Sequence, residues 1–355
     1  MLDVLIVSLG STGGLRSADE ELLASLRRAG ASAEMAVAAP QSQTRTLMLT
    51  DLRWAVAARR AAQDALTRAH ARSVIYSTTT AALLWSRPGA IRFDAPAAGN
   101  RPGRHGLWQR PFEQRRLREA PLLLPQSEGA LLETPAAVRR ALGPGDALVL
   151  PVPVEPSGGP GDALPPPAAV ELSGVLGGGK ARDIAAITYA ANPLKKGLDL
   201  LLGAWCQVRR EGEELIVAGV GEQELRRVGY SVPAPGVRVV GMLPPQEYRA
   251  LLRRARVYVC AARREDYGLA QLEALADGCM LVTVPSPGPY AALPLARKLD
   301  ERLVDDDLGV ALRIALDDPR SHYRERAPGA LAPFRREAVD QLVAEELLPR
   351  LLPRG

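Results

Sequence analysis

Two carboxylates eight positions apart, Glu265 and Glu273, lie in the segment 263–284, RREDYGLAQLEALADGCMLVTV. The apolar run ending near Ala261 predicts a strand, and Gly268 permits a tight turn after it. Leu269, Leu272 and Leu275 then recur at helical spacing, Gly278 stands where helices stop, and MLVTV reads as the next strand. Glu265 therefore falls in the loop before the helix, beside Asp266 and Tyr267, and Glu273 falls on its first turns. A helix N-terminus carries partial positive charge and N–H groups without intrahelical partners, so a diphosphate is stabilised there. Carboxylates beside it can accept hydrogen bonds from sugar hydroxyls, one from a ribose and the other from a hexose. The bland alternative is an acidic helix start that only complements the dipole.

Residues 187–204, ITYAANPLKKGLDLLLGA, predict a strand to about Ala190, a turn, and a helix from Gly197. Lys195 and Lys196 precede that helix, where the dipole disfavours cations, so binding an anion explains them better than solvation does. The runs LIVAGVG (215–221) and VRVVGML (237–243) read as strands closed by Gly219 and by Gly241 with Met242. Backbone groups at Gly241 and Met242 could read a base edge, although each run alone is equally a plain turn. Near the N-terminus, Gly13 and Gly14 fall in a Gly-rich turn (10–14) after the strand DVLIVS (3–8), without the full G-x-G-x-x-G spacing. Asp94 ends the strand IRFD and serves equally well as a turn cap or an acceptor-side group.

The elements that must hold these residues alternate. Strands are expected near 3–8, 33–38, 73–77, 90–93 and 121–125, with helices near 17–29, capped by Ser17 with Glu20, and 52–70. A second series has strands near 184–190, 214–219, 237–240, 256–260 and 280–284, with helices at 197–209, 221–227, 245–253 and 269–277. Such alternation predicts parallel sheets covered on both faces. Between the two series, residues 151–167 hold seven prolines and three glycines and read as a linker. The expected domains are 1–150, the linker 151–167, a second domain 168–330, and a C-terminal helical segment 331–355, broken by Pro349, that packs back on the first domain.

The 355 residues suit two domains, and 47% hydrophobic with 24% charged residues is the composition of a globular chain. A net charge of +5 and a pI near 9.3 fall short of a dedicated nucleic-acid binder. That charge suits anionic ligands, or arginine used only for solubility. Cys206, Cys260 and Cys279 have no metal or disulfide spacing, and His70, His105 and His322 are scattered, so no metal site is expected. Cys260 and Cys279 lie in apolar runs and read as buried. The run Asp305–Asp307 precedes LGVALRIAL and reads as a helix cap. Residues 99–118 carry six arginines among Leu107, Trp108 and Phe112. They read as an exposed helix snorkelling over the core, or as a grip for an anionic acceptor or membrane surface. The start MLDVLIVSLG lacks signal-peptide character and no apolar run reaches membrane-spanning length, so a cytoplasmic location is expected, with peripheral membrane contact through Arg101–Arg118 the alternative.

The pattern ExYGLxxLEALAxG over 265–278 resembles the E-x7-E signature of family 4 retaining glycosyltransferases of the GT-B fold. The resemblance is strongest over about 184–320 and weaker over 1–150. It implies two doubly wound Rossmann-like domains facing a cleft, and transfer of a hexose from a nucleoside-diphosphate sugar without a divalent metal or further cofactor. UDP-sugar is the favoured donor, with GDP- and ADP-sugars as alternatives; the acceptor is a glycan, lipid-linked or small molecule. By resemblance Glu273 binds ribose and Glu265 the donor sugar. Tyr267, Gly268 and Leu269 supply backbone N–H groups, with Asp266 beside them, and Lys196 is the phosphate lysine. Gly13 and Gly14 match a loop that approaches the phosphates, and Asp94 stands near the acceptor hydroxyl. Gly219, Gly241 and Met242 flank the nucleotide. The family's phosphate-binding arginine is replaced by Ala191 or Asn192. Asn192, Lys195, Arg263 and Arg264 are the candidates to compensate, none of them by resemblance. The departure keeps open a catalytically degenerate nucleotide-sugar-binding partner subunit; a GT-B epimerase is a further alternative. A sugar phosphorylase would need a longer chain, and a dinucleotide oxidoreductase lacks its acid behind the first glycine loop.

Overall fold

The computed structural model describes residues 1–42, 44–158, 182–232 and 234–352. The later part of the linker, 159–167, and the start of the expected second domain, 168–181, lie outside the described residues. The chain divides into two compact units. Unit 1 comprises 1–153, 288–291 and 333–355, and unit 2 comprises 154–287 and 292–332.

Unit 1 is built on five parallel strands, β1 (Leu2–Ser8), β2 (Ala33–Val37), β3 (Ala71–Tyr76), β4 (Ala90–Phe93) and β5 (Leu123–Pro125), in the order β2-β1-β3-β4-β5. These strands are apolar on both faces because helices cover both. On one side Leu5, Val7, Val74, Tyr76 and Ile91 pack with the alanine-rich face of α2 (Leu47–Arg68), at Ala58, Ala62 and Ala65. On the other, Val4, Ile6 and Ile75 pack with Leu22 and Leu26 of α1 (Gly13–Arg28). Helix α3 (Gln109–Glu119) completes the covering elements used below.

Unit 2 has a second five-stranded parallel sheet: β6 (Ile184–Tyr189), β7 (Leu215–Ala218), β8 (Val237–Gly241), β9 (Ala255–Cys260) and β10 (Met280–Thr283), in the order β10-β9-β6-β7-β8. Its principal helices are α4 (Leu198–Val208), α5 (Pro245–Arg254), α6 (Leu269–Ala276), α7 (Ala292–Asp300) and α8 (Leu308–Asp317). Cys260 and Cys279 are buried and Cys206 is exposed. Both sheets reverse direction beside their first strand, between β1 and β3 and between β6 and β9, the doubly wound arrangement in which ligands bind beyond the strands' carboxyl ends.

Three boundaries differ from expectation. Helix α1 begins at Gly13 rather than Ser17, because the Thr12 side chain accepts from Leu15 N at 3.2 Å and caps it there; Gly13 and Gly14 are its first residues, not part of a preceding loop. Helix α2 begins at Leu47 for the same reason, with Thr46 accepting from Leu49 N. Pro349 does not break the last helix: α9 (Arg336–Leu342) runs into a π turn over 343–347 and on into the short helix 348–351, with Pro349 directly after the π turn. The Asp305–Asp307 run does cap a helix, with Asp307 accepting from Gly309 N and Val310 N.

Candidate functional site

The parallel strands of unit 2 bring most of the candidate residues to one sheet edge. Adjacency of β6 and β9 sets the loop 191–197 against the loop 261–268. Arg263 N donates to Lys195 O at 3.0 Å. Gly197 adopts φ 62°, and a Cβ there would lie 1.9 Å from Ala261 O, so only glycine lets the two backbones meet. Asn192 shapes the first loop: its Oδ1 accepts from Lys195 N at 3.0 Å and its carbonyl from Lys196 N at 2.9 Å.

The two lysines then reach across. Lys196 Nζ donates to Glu265 Oε2 at 2.6 Å, and Lys195 Nζ to Asp266 Oδ2 at 2.6 Å. Glu265 is buried, accepts a second bond from Gln271 Nε2 at 2.9 Å, and donates its own N–H to Pro287 O at 3.0 Å. A buried carboxylate needs such compensation to stay charged. Burial pushes the Asp266 carboxyl up, but Lys195 and Arg264 outweigh it and hold it below the usual range. Immediately beyond, α6 starts after Gly268, which adopts φ 91° and offers no side-chain cap; Gly197 likewise leaves α4 without a side-chain cap. Two uncapped helix starts therefore flank three cations and two carboxylates. Of the candidates to compensate for the arginine missing beside Lys196, Arg263 is forked onto Asp199 at 2.9 and 2.6 Å and Arg264 donates to Asp266 at 2.9 Å.

Residues 183–311 match the family model described as glycosyl transferases group 1. No curated protein sequence matches the chain. Among solved structures, Anabaena HepE in complex with UDP and glucose is similar at 14% identity and TM-score 0.62, covering 98% of this chain and 99% of that one. WaaG, a glycosyltransferase involved in lipopolysaccharide biosynthesis, is similar at 13% identity and TM-score 0.63, over 99% and 100%. Sucrose-phosphate synthase from Thermosynechococcus elongatus is similar at 16% identity and TM-score 0.62, over 96% of each chain. The architecture is GT-B, with two doubly wound Rossmann-like domains.

In unit 2, Glu273 lies on the second turn of α6, half-buried. Burial raises its carboxyl above the ordinary range, and Arg249, 3.6 Å away, only partly offsets this. Arg249 was not legible as a site residue, because nothing near it in sequence marks a partner. Tyr189 was also missed. It ends β6, stacks edge-on with Tyr248 at 5.4 Å, and donates to Met242 Sδ at 3.6 Å. A Cβ on Gly219, at φ 89°, would lie 2.8 Å from the Tyr189 ring. Gly219 N donates to Gly241 O at 2.7 Å, so Gly219, Gly241 and Met242 gather around this tyrosine. Its signal was a large aromatic at a strand's carboxyl end.

The remaining candidates belong to unit 1. Gly13 and Asp94 follow β1 and β4, at the carboxyl edge of that sheet, and Asp94 Oδ1 accepts from Ala95 N at 2.7 Å. The Arg-rich stretch is more engaged than a snorkelling face. Arg101 forks Asp51 at 2.8 and 3.2 Å, Arg110 donates to the carbonyls of Gly103 and Gly106, and Arg116 lies 4.8 Å over the Trp85 ring. Its one acid, Glu113, is buried and accepts from Ala97 N with both oxygens, at 2.8 and 3.0 Å. Burial pushes its carboxyl up to about 7, against Thr79, Ala97 and Arg101. Among the described residues no helix is long and apolar enough to cross a membrane, and no three His, Cys, Asp or Glu side chains gather as a metal site.

Proposed function

We propose that this chain transfers a hexose from a nucleoside-diphosphate sugar to an acceptor hydroxyl with retention of anomeric configuration. The observation that carries the reading is the Lys196–Glu265 pair, 2.6 Å apart, at the uncapped start of the helix bearing Glu273. The diphosphate settles on that helix start, at the N–H groups of Tyr267, Gly268 and Leu269, and takes Lys196 as its counterion. Glu265, released from Lys196, accepts from the hexose hydroxyls; Glu273 accepts from the ribose. Base contacts come from the backbone at Gly241 and Met242. UDP is the favoured nucleotide, as the similar Anabaena HepE is described with UDP and glucose.

Cleavage of the anomeric C–O bond builds negative charge on the β-phosphate and positive charge on the sugar. Preorganised donors aimed at that phosphate supply the main stabilisation. The acceptor oxygen attacks from the face the nucleotide leaves, and the departing phosphate oxygen takes the acceptor proton, so the scheme needs neither a protein nucleophile nor a metal step. Asp94 orients the acceptor hydroxyl. A lipid-linked acceptor would suit the exposed Leu107 and Phe112 among the arginines of 101–118.

Thermal-shift measurements with UDP-, GDP- and ADP-sugars test the binding half of this reading. A cognate donor at a hundred times its Kd stabilises by about 2.7 kcal/mol; stabilisation by none of them refutes a donor site. Slow donor hydrolysis by the wild type, lost in Glu265→Ala, tests the chemistry. Binding without turnover would favour the second reading, a catalytically degenerate donor-binding subunit, which Ala191 or Asn192 in place of the arginine of the family it resembles supports. A changed sugar formed from donor alone would instead favour an epimerase.

A further inference from the structure

Glu273 is held differently from the other acids of the site. Glu265 and Asp266 accept short hydrogen bonds from lysines. The Glu273 carboxylate accepts no hydrogen bond among the described residues, and its cation partner, Arg249 Nη1, stands at 3.6 Å, beyond hydrogen-bonding reach. Arg249 is oriented from elsewhere. Its Nε donates to Asp277 Oδ2 at 2.5 Å, and its Nη2 donates to Asp277 Oδ1 at 3.0 Å and to Glu155 O at 2.6 Å. Asp277 is itself pinned by Ser157, whose N–H and hydroxyl donate to it at 2.7 and 2.8 Å. The planar guanidinium therefore cannot swing toward Glu273 to form a closer pair without abandoning a buried carboxylate. What results is a half-buried carboxylate, charge-compensated at a distance, with its lone pairs unspent. That is the state suited to accepting two hydroxyls from a vicinal diol.

We propose that Arg249 is a positioning residue for Glu273, keeping its carboxylate ionised and open for the vicinal diol of the nucleotide's ribose. The inference rests on the donor-site reading above. The charged and titratable groups facing Glu273 are Arg249 and Tyr248 from α5, Asp277 from the end of its own helix, and Tyr189 from β6. Burial and Asp277 both favour the protonated acid, and Arg249 is the cation that opposes them. Removing Arg249 leaves a larger fraction of Glu273 protonated at any given pH, and affinity then begins to fall at a higher pH as solutions are acidified.

The test is calorimetric binding of UDP, GDP and ADP and of their 2′-deoxy counterparts, between pH 5 and 8. It compares the wild type, Arg249→Met, Arg249→Lys, Glu273→Gln and the Arg249→Met/Glu273→Gln pair. The lysine variant retains a cation for Asp277 while losing the Nη1 that faces Glu273, so it keeps the test valid if the methionine variant does not fold. Expected is an affinity loss of about tenfold for the cognate ribonucleotide, little loss for its deoxy form, a midpoint of the pH profile moved upward, and no further loss in the double variant. Equal losses for ribo and deoxy forms, an unmoved pH profile, or additive losses would overturn the role of Arg249. Failure of the wild type to bind any of the three nucleotides would instead overturn the donor-site reading itself.

Discussion

Lys196 and Glu265 neutralise one another across the two loops, so substituting either changes both. Under the proposed reading, Glu265→Gln releases Lys196 to a phosphate while removing the hexose acceptor. Nucleotide affinity should persist, with donor turnover reduced on the order of 100-fold, the scale on which a single preorganised polar group acts; parallel calorimetry and turnover assays check this. Glu113 offers a residue-scale prediction independent of function. A carboxyl that binds its proton more tightly folded than unfolded favours the folded chain at low pH. That contribution fades as pH climbs from the ordinary value of 4.5 to about 7 and is absent above it. The unfolding free energy from urea titrations should therefore fall across this window by an amount on the order of 3 kcal/mol, and Glu113→Gln should flatten the profile. The E-x7-E carboxylates, the lysine pair and the strand-end glycines were legible because each is a local pattern. Tyr189, Arg249 and Gln271 were not, because their relevance depends on neighbours distant in sequence.

At the scale of elements, the loop after β6 is pressed onto the loop after β9, and Gly197 is where they touch. Gly197→Ala would place a side chain 1.9 Å from Ala261 O in a conformation that disfavours one. The αL strain alone costs about 1–2 kcal/mol; thermal midpoint and nucleotide affinity should both fall as the loops part. Gly203→Ala, exposed within α4 with nothing within 4 Å of its Cβ, is the control and should stabilise by up to about 1 kcal/mol. Helix starts were the least legible features. Ser17 with Glu20 has the spacing of a capping box, yet Thr12, five residues earlier, caps α1. Local sequence offers several polar residues able to cap, and the turn through Gly10, at φ 57°, selects among them. Thr12→Ala should cost about 1 kcal/mol in urea unfolding.

At the scale of the whole molecule, the chain leaves unit 1 near 153, touches it again at 288–291, and returns to it for its last segment at 333. The returning segment buries Val339, Val343, Leu347 and Leu351 in the core that holds Val4, Ile6, Leu22 and Leu26. Asp340 anchors it, accepting from Ser25 Oγ at 2.6 Å and from Arg28 at 2.6 and 2.8 Å. Each of those apolar side chains contributes on the order of 2 kcal/mol. A chain ending at 332 should therefore lose much of the stability of unit 1 while unit 2 keeps its own transition. Calorimetry resolving the two units checks this, and a single unshifted transition would contradict it.

Residue order alone determined that the chain is two alternating α/β series, and that its charged chemistry follows strand ends, since periodicity and turn residues act over a few positions. It also supplied the E-x7-E pattern and marked the lysines as misplaced unless they meet an anion. Tertiary structure decided that β6 lies beside β9, and hence that Lys196 meets Glu265 and Lys195 meets Asp266. It decided too that Arg249 faces Glu273 from a fork spent on Asp277. Strand order and side-chain partnership come from packing surfaces brought together across the chain, and no local pattern encodes which surfaces those are.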